Sequence, residues 1–412
     1  MALHFTREEF ADRQRRTRAE MAKAGLEGLL IFRQESMYYL TGYDTSGYSM
    51  FQGMYLGADG ALALLTRSAD QRQARLTSVI EDIRIWTDRE GADPAAELRD
   101  MVADYGGRGK RIGAEYHAYG LTAQRGKMVD AAFAGFCELV DASDLIRLLR
   151  LVKSPAELAY LREAGRLVDE VCAVSQRLTV PGASVGAVYG EMMSAIMRGD
   201  GDPSASRWPM GAGEEALLVR YHTGHGTVTP RDQVQFEIAA AYRHYHAALM
   251  YVILTGEPDP RHRHMFDACA EALDACEAAL RPGDTVGQVF AAHAEVLTKA
   301  GYAGHFLNAC GYTMGATYPP TWMDWPMAYA GEPQVLAPNM VFFLHMILLN
   351  SDTGLSMSLG ETAIITEAGC EPISHAPRDL LVAKGERGPC RVSSPRQRPL
   401  SALQGGAGGA RR

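Results

Sequence analysis

At 412 residues the chain is too long for one ordinary core and suits two domains, because single cores stop growing near ~250 to 300 residues. Hydrophobic residues make up 47% and charged residues 22%, the balance of a globular protein with ample apolar surface to bury, which confines disorder to local segments. A formal net charge of −8 repels phosphate backbones and anionic headgroups, so nucleic acid and membrane surfaces are set aside as partners.

The chain turns charged at once, from Thr6-Arg7-Glu8-Glu9, without the apolar stretch of a leader, and no run approaches the ~18 apolar residues of a membrane span, so a cytoplasmic location is expected. Thr6-Arg7-Glu8-Glu9 is also a capping box that predicts an amphipathic helix to about Lys23, stopped by Gly25 and followed by a buried strand at Gly28-Leu29-Leu30-Ile31-Phe32. Strand-like runs at Ala61–Leu65 and Arg111–Glu115 alternate with helical stretches at Pro94–Tyr105 and Leu121–Gly135. Residues 1–150 therefore read as one small α/β domain.

A second domain, 151–383, opens at Ser154-Pro155-Ala156-Glu157, where Ser154 caps a helix with Pro155 in its first position. Within it Leu178-Thr179-Val180-Pro181-Gly182-Ala183-Ser184 recurs as Leu280-Arg281-Pro282-Gly283-Asp284-Thr285, each between helix-like stretches. Such a duplication predicts two similar halves with a site at their seam. Residues 384–412, rich in Gly, Pro, Ser and Arg, are expected to form a disordered basic tail.

The seven cysteines show neither CxxC spacing nor a disulfide framework and read as reduced and structural; Cys310 lies nearest the polar clusters, with no base marked beside it. Those clusters are three. The first holds Arg220, His222 and His225, then Val234-Gln235-Phe236-Glu237-Ile238, a strand pattern with Glu237 on the face opposite Phe236, then Tyr242-Arg243-His244-Tyr245-His246. Carboxylate and imidazoles this close in sequence suit a pocket for acid/base work. Histidine pairs without a correctly spaced Asp or Cys are weak evidence for metal, so a metal site, metal-free acid/base chemistry and structural histidines all stay open. The second, Asn308 to Trp325, is dense in Gly, Pro and aromatics and predicts a tight loop walling a pocket. The third is a buried strand at Met340–Leu349 containing His345, then Leu359-Gly360-Glu361-Thr362.

Over residues 5–380 these features resemble the creatinase and aminopeptidase P family: Val152-Lys153-Ser154-Pro155-Ala156-Glu157-Leu158 is similar to its entry into the pita-bread domain, and Leu40-Thr41-Gly42-Tyr43 to its N-terminal domain. The resemblance implies an α/β (α+β) architecture, a small creatinase-type domain before a pseudo-twofold pita-bread domain, acting on a small-molecule substrate as a homodimer. Family metallopeptidases hold two metal ions with two aspartates, a histidine and two glutamates. Matched in order, those positions fall on Glu237, Ala248, Tyr312, His345 and Gly360, with Glu361 beside the last. Two divalent ions without their carboxylates are left uncompensated, so no metal and no cofactor is expected. Phe236-Glu237-Ile238-Ala239, Gly311-Tyr312-Thr313-Met314-Gly315 and Tyr318-Pro319-Pro320 resemble the ectoine hydrolase-like members that lack the standard ligands. The implied function is metal-independent hydrolysis of a non-peptide C–N bond, with Glu237, His246, His222 and His345 as catalytic candidates and Arg220, Tyr312, Trp322 and Glu361 as substrate-binding ones. The alternatives are a metal-dependent Xaa-Pro dipeptidase, a lyase, or a binding protein without catalysis.

Overall fold

The computed structural model describes residues 3–221 and 225–383; the predicted tail and His222 lie outside the described residues. The first part of the chain runs α1 (Arg7–Lys23), β1 (Gly28–Ile31), α2 (Gln34–Thr41), β2 (Gly53–Gly57), β3 (Leu62–Arg67), α3 (Gln71–Thr77), β4 (Asp82–Trp86), α4 (Pro94–Asp104), β5 (Arg111–Ala114), α5 (Ala123–Phe133), β6 (Glu138–Asp141) and α6 (Ser143–Leu149). Its six strands form one mixed sheet in the order β4-β3-β2-β1-β5-β6. Local chemistry places the first helix where the capping residues predict it, since Thr6 accepts from the Glu9 amide.

The rest runs α7 (Pro155–Leu178), α8 (Val185–Arg198), β7 (Met210–Ala212), β8 (Gln233–Tyr242), β9 (Tyr245–Leu254), α9 (Pro260–Ala279), α10 (Val286–Lys299), β10 (Ala309–Thr313), β11 (Asp324–Tyr329), β12 (Val341–Asn350), β13 (Leu355–Thr366), β14 (Gly369–Pro372) and β15 (Leu381–Val382). A nine-stranded sheet follows the path β11-β10-β12-β13-β9-β8-β7, with β14 added on β13 and β15 on β9. Among the described residues no helix is long and apolar enough to cross a membrane.

The repeated segment is structural. α7 and α8 join through Pro181-Gly182, with α7 over β8 and β9, while α9 and α10 join through Pro282-Gly283, with α9 over β12 and β13 and α10 over β10 and β11. Both turns need glycine, because Gly182 has φ 85° and Gly283 has φ 92°, a region costly for residues with a Cβ. Ser154 and Glu157 close a complete capping box on α7, and such a cap stabilises a helix by ~1 kcal/mol.

Strand alternation then sorts the side chains. On β12, Phe342, Leu344, Met346 and Leu348 pack with Cys269, Leu273 and Cys276 of α9, so Phe343, His345 and Ile347 face the other way. The stretch read as a loop, Asn308 to Trp325, is in part sheet, since β10 pairs with both β11 and β12. Its glycine at 311 serves a close approach rather than a turn: a Cβ there would lie 2.5 Å from the Phe343 carbonyl.

Candidate active site

One row of paired residues crosses four strands of the large sheet: Glu237 opposite Met250, Met250 opposite Gly360, and Gly360 opposite His345. Residues directly opposite share a face, so β8 and β12 present Glu237 and His345 to the same side. Tyr312, paired with Phe343, projects beside them with its ring 5.6 Å from that of His345. A cavity of about 300 Å³ opens here, and its polar lining is Arg220, Glu237, Asn308, Tyr312 and His345. Val219, Met323, Met327 and Ile347 supply apolar wall. A second cavity of about 290 Å³ at the junction with the N-terminal domain shares Met323 and Met327 with it and adds Arg33 and Arg147. A larger groove of about 810 Å³ runs elsewhere along α1 and α6, lined by solvated charges such as Lys23 and Asp144 that converge on no point.

The electrostatics follow from burial. Desolvation pushes the Glu237 carboxyl up to about 7, against the opposing pull of the Arg220 charge and the Tyr312 hydrogen bond. The Tyr312 hydroxyl donates to Glu237 Oε1 at 3.3 Å and accepts from Trp322 Nε1 at 2.8 Å. Burial, reinforced by Glu237, holds the Tyr312 phenol well above its ordinary range, so it remains a donor at working pH. Burial lowers His345 to about 3, and its Nδ1 is a buried nitrogen without a protein partner. The site thus combines a carboxylate poised near neutrality, a neutral imidazole with a free position, a fixed phenol donor and, at the rim, an exposed guanidinium.

Three candidates stand elsewhere. His246 occupies the Glu237 face of β9 but at the far end of the strand. Its Nε2 accepts from the Ala205 amide at 3.0 Å and its Nδ1 donates to the His244 carbonyl at 2.7 Å. Burial lowers it to about 3, so a neutral ring with both nitrogens engaged joins backbone to backbone and has no free position for proton transfer. Glu361 points through the sheet to the opposite face, because Gly360 takes the cavity side, and there it binds Arg378, which also reaches Glu277 and Asp274. Trp322 is buried behind Tyr312 and orients that phenol rather than lining the cavity. His244 sits with Arg243 in the β8–β9 turn, both at positive φ, and its Nε2 meets Asp44 of the N-terminal domain at 2.9 Å. Asn308 was not singled out in the sequence; it opens the Gly-rich segment, but nothing local separates it from an ordinary loop asparagine.

A two-domain chain whose second domain is built of two half-repeats, with a polar cavity lined from both, is the class that this fold defines. The chain belongs to metallopeptidase family M24, whose model matches residues 159–367, and the model of the creatinase/prolidase N-terminal domain matches residues 13–152; it is a hydrolase acting on C–N bonds. It is 27% identical over 403 residues to ectoine hydrolase of Halomonas elongata, covering 93% of this chain and 99% of that one. It is also 27% identical over 383 residues to the probable dipeptidase PepE of Mycobacterium tuberculosis, covering 92% and 98%. Among solved structures it resembles dipeptidase PepE from Mycobacterium ulcerans, with TM-score 0.80 and 24% identity over 92% of this chain and 99% of that one. A prolidase from Thermococcus sibiricus gives TM-score 0.81 at 18% identity over 90% and 99%.

The family name implies metal ions, and the residues on the cavity face do not fit a pair of them. They offer one carboxylate, one phenol, one imidazole and the neutral amide of Asn308, while Ala248 offers a methyl group. At Gly360 a Cβ would lie 2.5 Å from the Leu344 carbonyl and 3.2 Å from the Phe343 ring, so a ligating side chain has no room there.

Proposed function

We propose that this chain is a metal-independent hydrolase that opens a non-peptide C–N bond in a small, partly cationic metabolite, a cyclic amidine or related amide. The observation that carries the reading is Glu237: it is the acidic side chain among the residues lining the cavity, and burial sets its pKa at about 7. As a carboxylate it takes a proton from water, and the hydroxide adds to the amidine or amide carbon. Glu237 then returns that proton to the departing nitrogen as the C–N bond breaks. Tyr312 holds the carboxylate in place, and His345 forms cavity wall beside it. Arg220 at the rim suits a substrate carboxylate. The cavity, at about 300 Å³, stands at the small end of ligand sites and suits a metabolite better than a peptide. The similarity to ectoine hydrolase supports the same substrate class.

The test is turnover after exhaustive chelation. Cyclic amidines such as ectoine should be opened in the presence of chelator, at a rate that added Mn²⁺ or Co²⁺ does not raise. Cleavage of Xaa-Pro dipeptides that needs added Mn²⁺ or Co²⁺ would replace this reading with that of the dipeptidase relatives.

The pH profile gives a second expectation. A general base must be deprotonated, so kcat/KM should rise with pH up to the Glu237 pKa, about 7, and level off above it. Tyr312→Phe removes a hydrogen bond that favours the carboxylate form, so this limb should move to higher pH. A limb that stays in place in Tyr312→Phe would separate it from Glu237.

A further inference from the structure

Behind the sheet, on the face opposite the cavity, three elements bring together Cys276 of α9, His293 of α10 and Cys310 of β10. One ligand atom from each lies within 4.8 Å of the others. All three residues are at most 1% exposed. Two further observations distinguish this group from ordinary core packing. His293 Nε2 is a buried nitrogen with no hydrogen-bond partner, a costly arrangement in an apolar core. The thioether of Met346 accepts from Nδ1 of the same ring at 3.1 Å, which fixes the ring and leaves Nε2 as its open ligand atom. Around them pack the side chains of Leu273, Val289, Leu297 and Leu344, and the Cys276 thiol donates weakly to the Val289 carbonyl at 3.6 Å.

We propose that Cys276, His293 and Cys310 bind one thiophilic d¹⁰ cation, Zn²⁺ or Cu⁺, at a structural site that braces β10 against α9 and α10. Two thiolates and an imidazole are the donors such ions select. With Zn²⁺ the two thiolate charges cancel the ion's, so the complex enters the apolar core neutral, which removes the main cost of burying charge there. Binding releases two thiol protons to solvent and changes no oxidation state. Burial lowers His293 to about 4 and leaves the imidazole neutral, as a ligand must be. A register shift in β10 between Ala309 and Tyr312 turns Cys310 to the helix side of the sheet, two residues before Tyr312 on the cavity side.

The site is independent of the reading given for the cavity, which contains no thiol. Reduced protein produced in cobalt-supplemented medium should therefore carry about one Co²⁺ with thiolate-to-metal charge-transfer absorption in the near ultraviolet. That absorption should vanish in Cys276→Ser and Cys310→Ser and persist in Cys137→Ser, a cysteine of the N-terminal domain. Should a serine variant fail to fold, the wild type serves alone. A mercurial that displaces metal into a chromogenic chelator should release one ion of Zn²⁺ or Cu⁺ per chain, identified by elemental analysis. Absence of the thiolate band in fully reduced protein, its persistence in both serine variants, or isolation of a Cys276–Cys310 disulfide in place of metal would overturn the proposal.

Discussion

Glu237→Gln should lower kcat/KM by ~10²- to 10⁴-fold, the usual contribution of a positioned general base, and by more if the carboxylate attacks carbon directly. The amide keeps the size of the carboxyl and can still accept from Tyr312, so the cavity retains its shape. Stability should move the other way. Because burial raises the folded-state pKa to about 7, the folded chain holds more protons than the unfolded chain between ~4.3 and that value. Native stability therefore falls as pH rises through this window, and above it the buried charge is carried in full. Glutamine has no charge to bury, so above pH 7 the variant should be more stable, by on the order of 2 kcal/mol, and the difference should shrink toward pH 4. Thermal melts at pH 5 and pH 8 check the sign. An active Glu237→Gln enzyme would remove Glu237 from the mechanism, and a melting temperature lowered at both pH values would make it a structural acid.

Asp324→Ala should be the most destabilising single change among these residues. Asp324 opens β11 and is buried between the domains, where Oδ1 accepts from Arg33 at 3.1 Å and Oδ2 from Arg150 at 2.8 Å. Burial alone would raise its carboxyl, but the charges of Arg150, Arg33 and Lys153 outweigh that and hold it below the usual range. Removing it leaves three buried cations without their common anion. Breaking a buried pair by deleting one partner costs ~3 to 5 kcal/mol, a fall in Tm on the order of 10 °C. The sign with pH is that of a depressed acid: the contribution is complete above ~3.9 and is lost as pH falls through the folded pKa. Wild type and variant should therefore converge in strong acid. A Tm within one or two degrees of wild type at neutral pH would mean that the junction does not depend on this cluster.

Much of the architecture could be read from short-range signals. Thr6 and Ser154 mark helix starts through their own caps, and the paired Pro-Gly turns announce two half-repeats, because a left-handed turn demands glycine wherever the chain finally sits. The alternation around Glu237 placed it on a strand face opposite Phe236, and it stands so in β8. Less of the site was readable. Glu361 attracted attention as an acid beside a β-run, yet the pairing of β13 with β9 and β12 gives the cavity side to Gly360 and sends Glu361 to Arg378. A shift of one residue reverses every side chain on a strand, and that register is decided by the neighbouring strands. His246 was chosen for its chemistry, but a partner 41 residues away, the Ala205 amide, commits its ring to structure.

By itself, then, the sequence determined the elements, their caps, the duplication within the second domain and the residue types available for acid/base work, since each depends on interactions within a few positions. Tertiary structure alone decided which of those residues meet. Glu237, Tyr312 and His345 come from three strands, Asp324 gathers Arg33 and Arg150 from far along the chain, and Cys276, His293 and Cys310 converge from two helices and a strand. The pKa values that set the proposed chemistry follow from that convergence, because desolvation is a property of the packed neighbourhood and not of the residue.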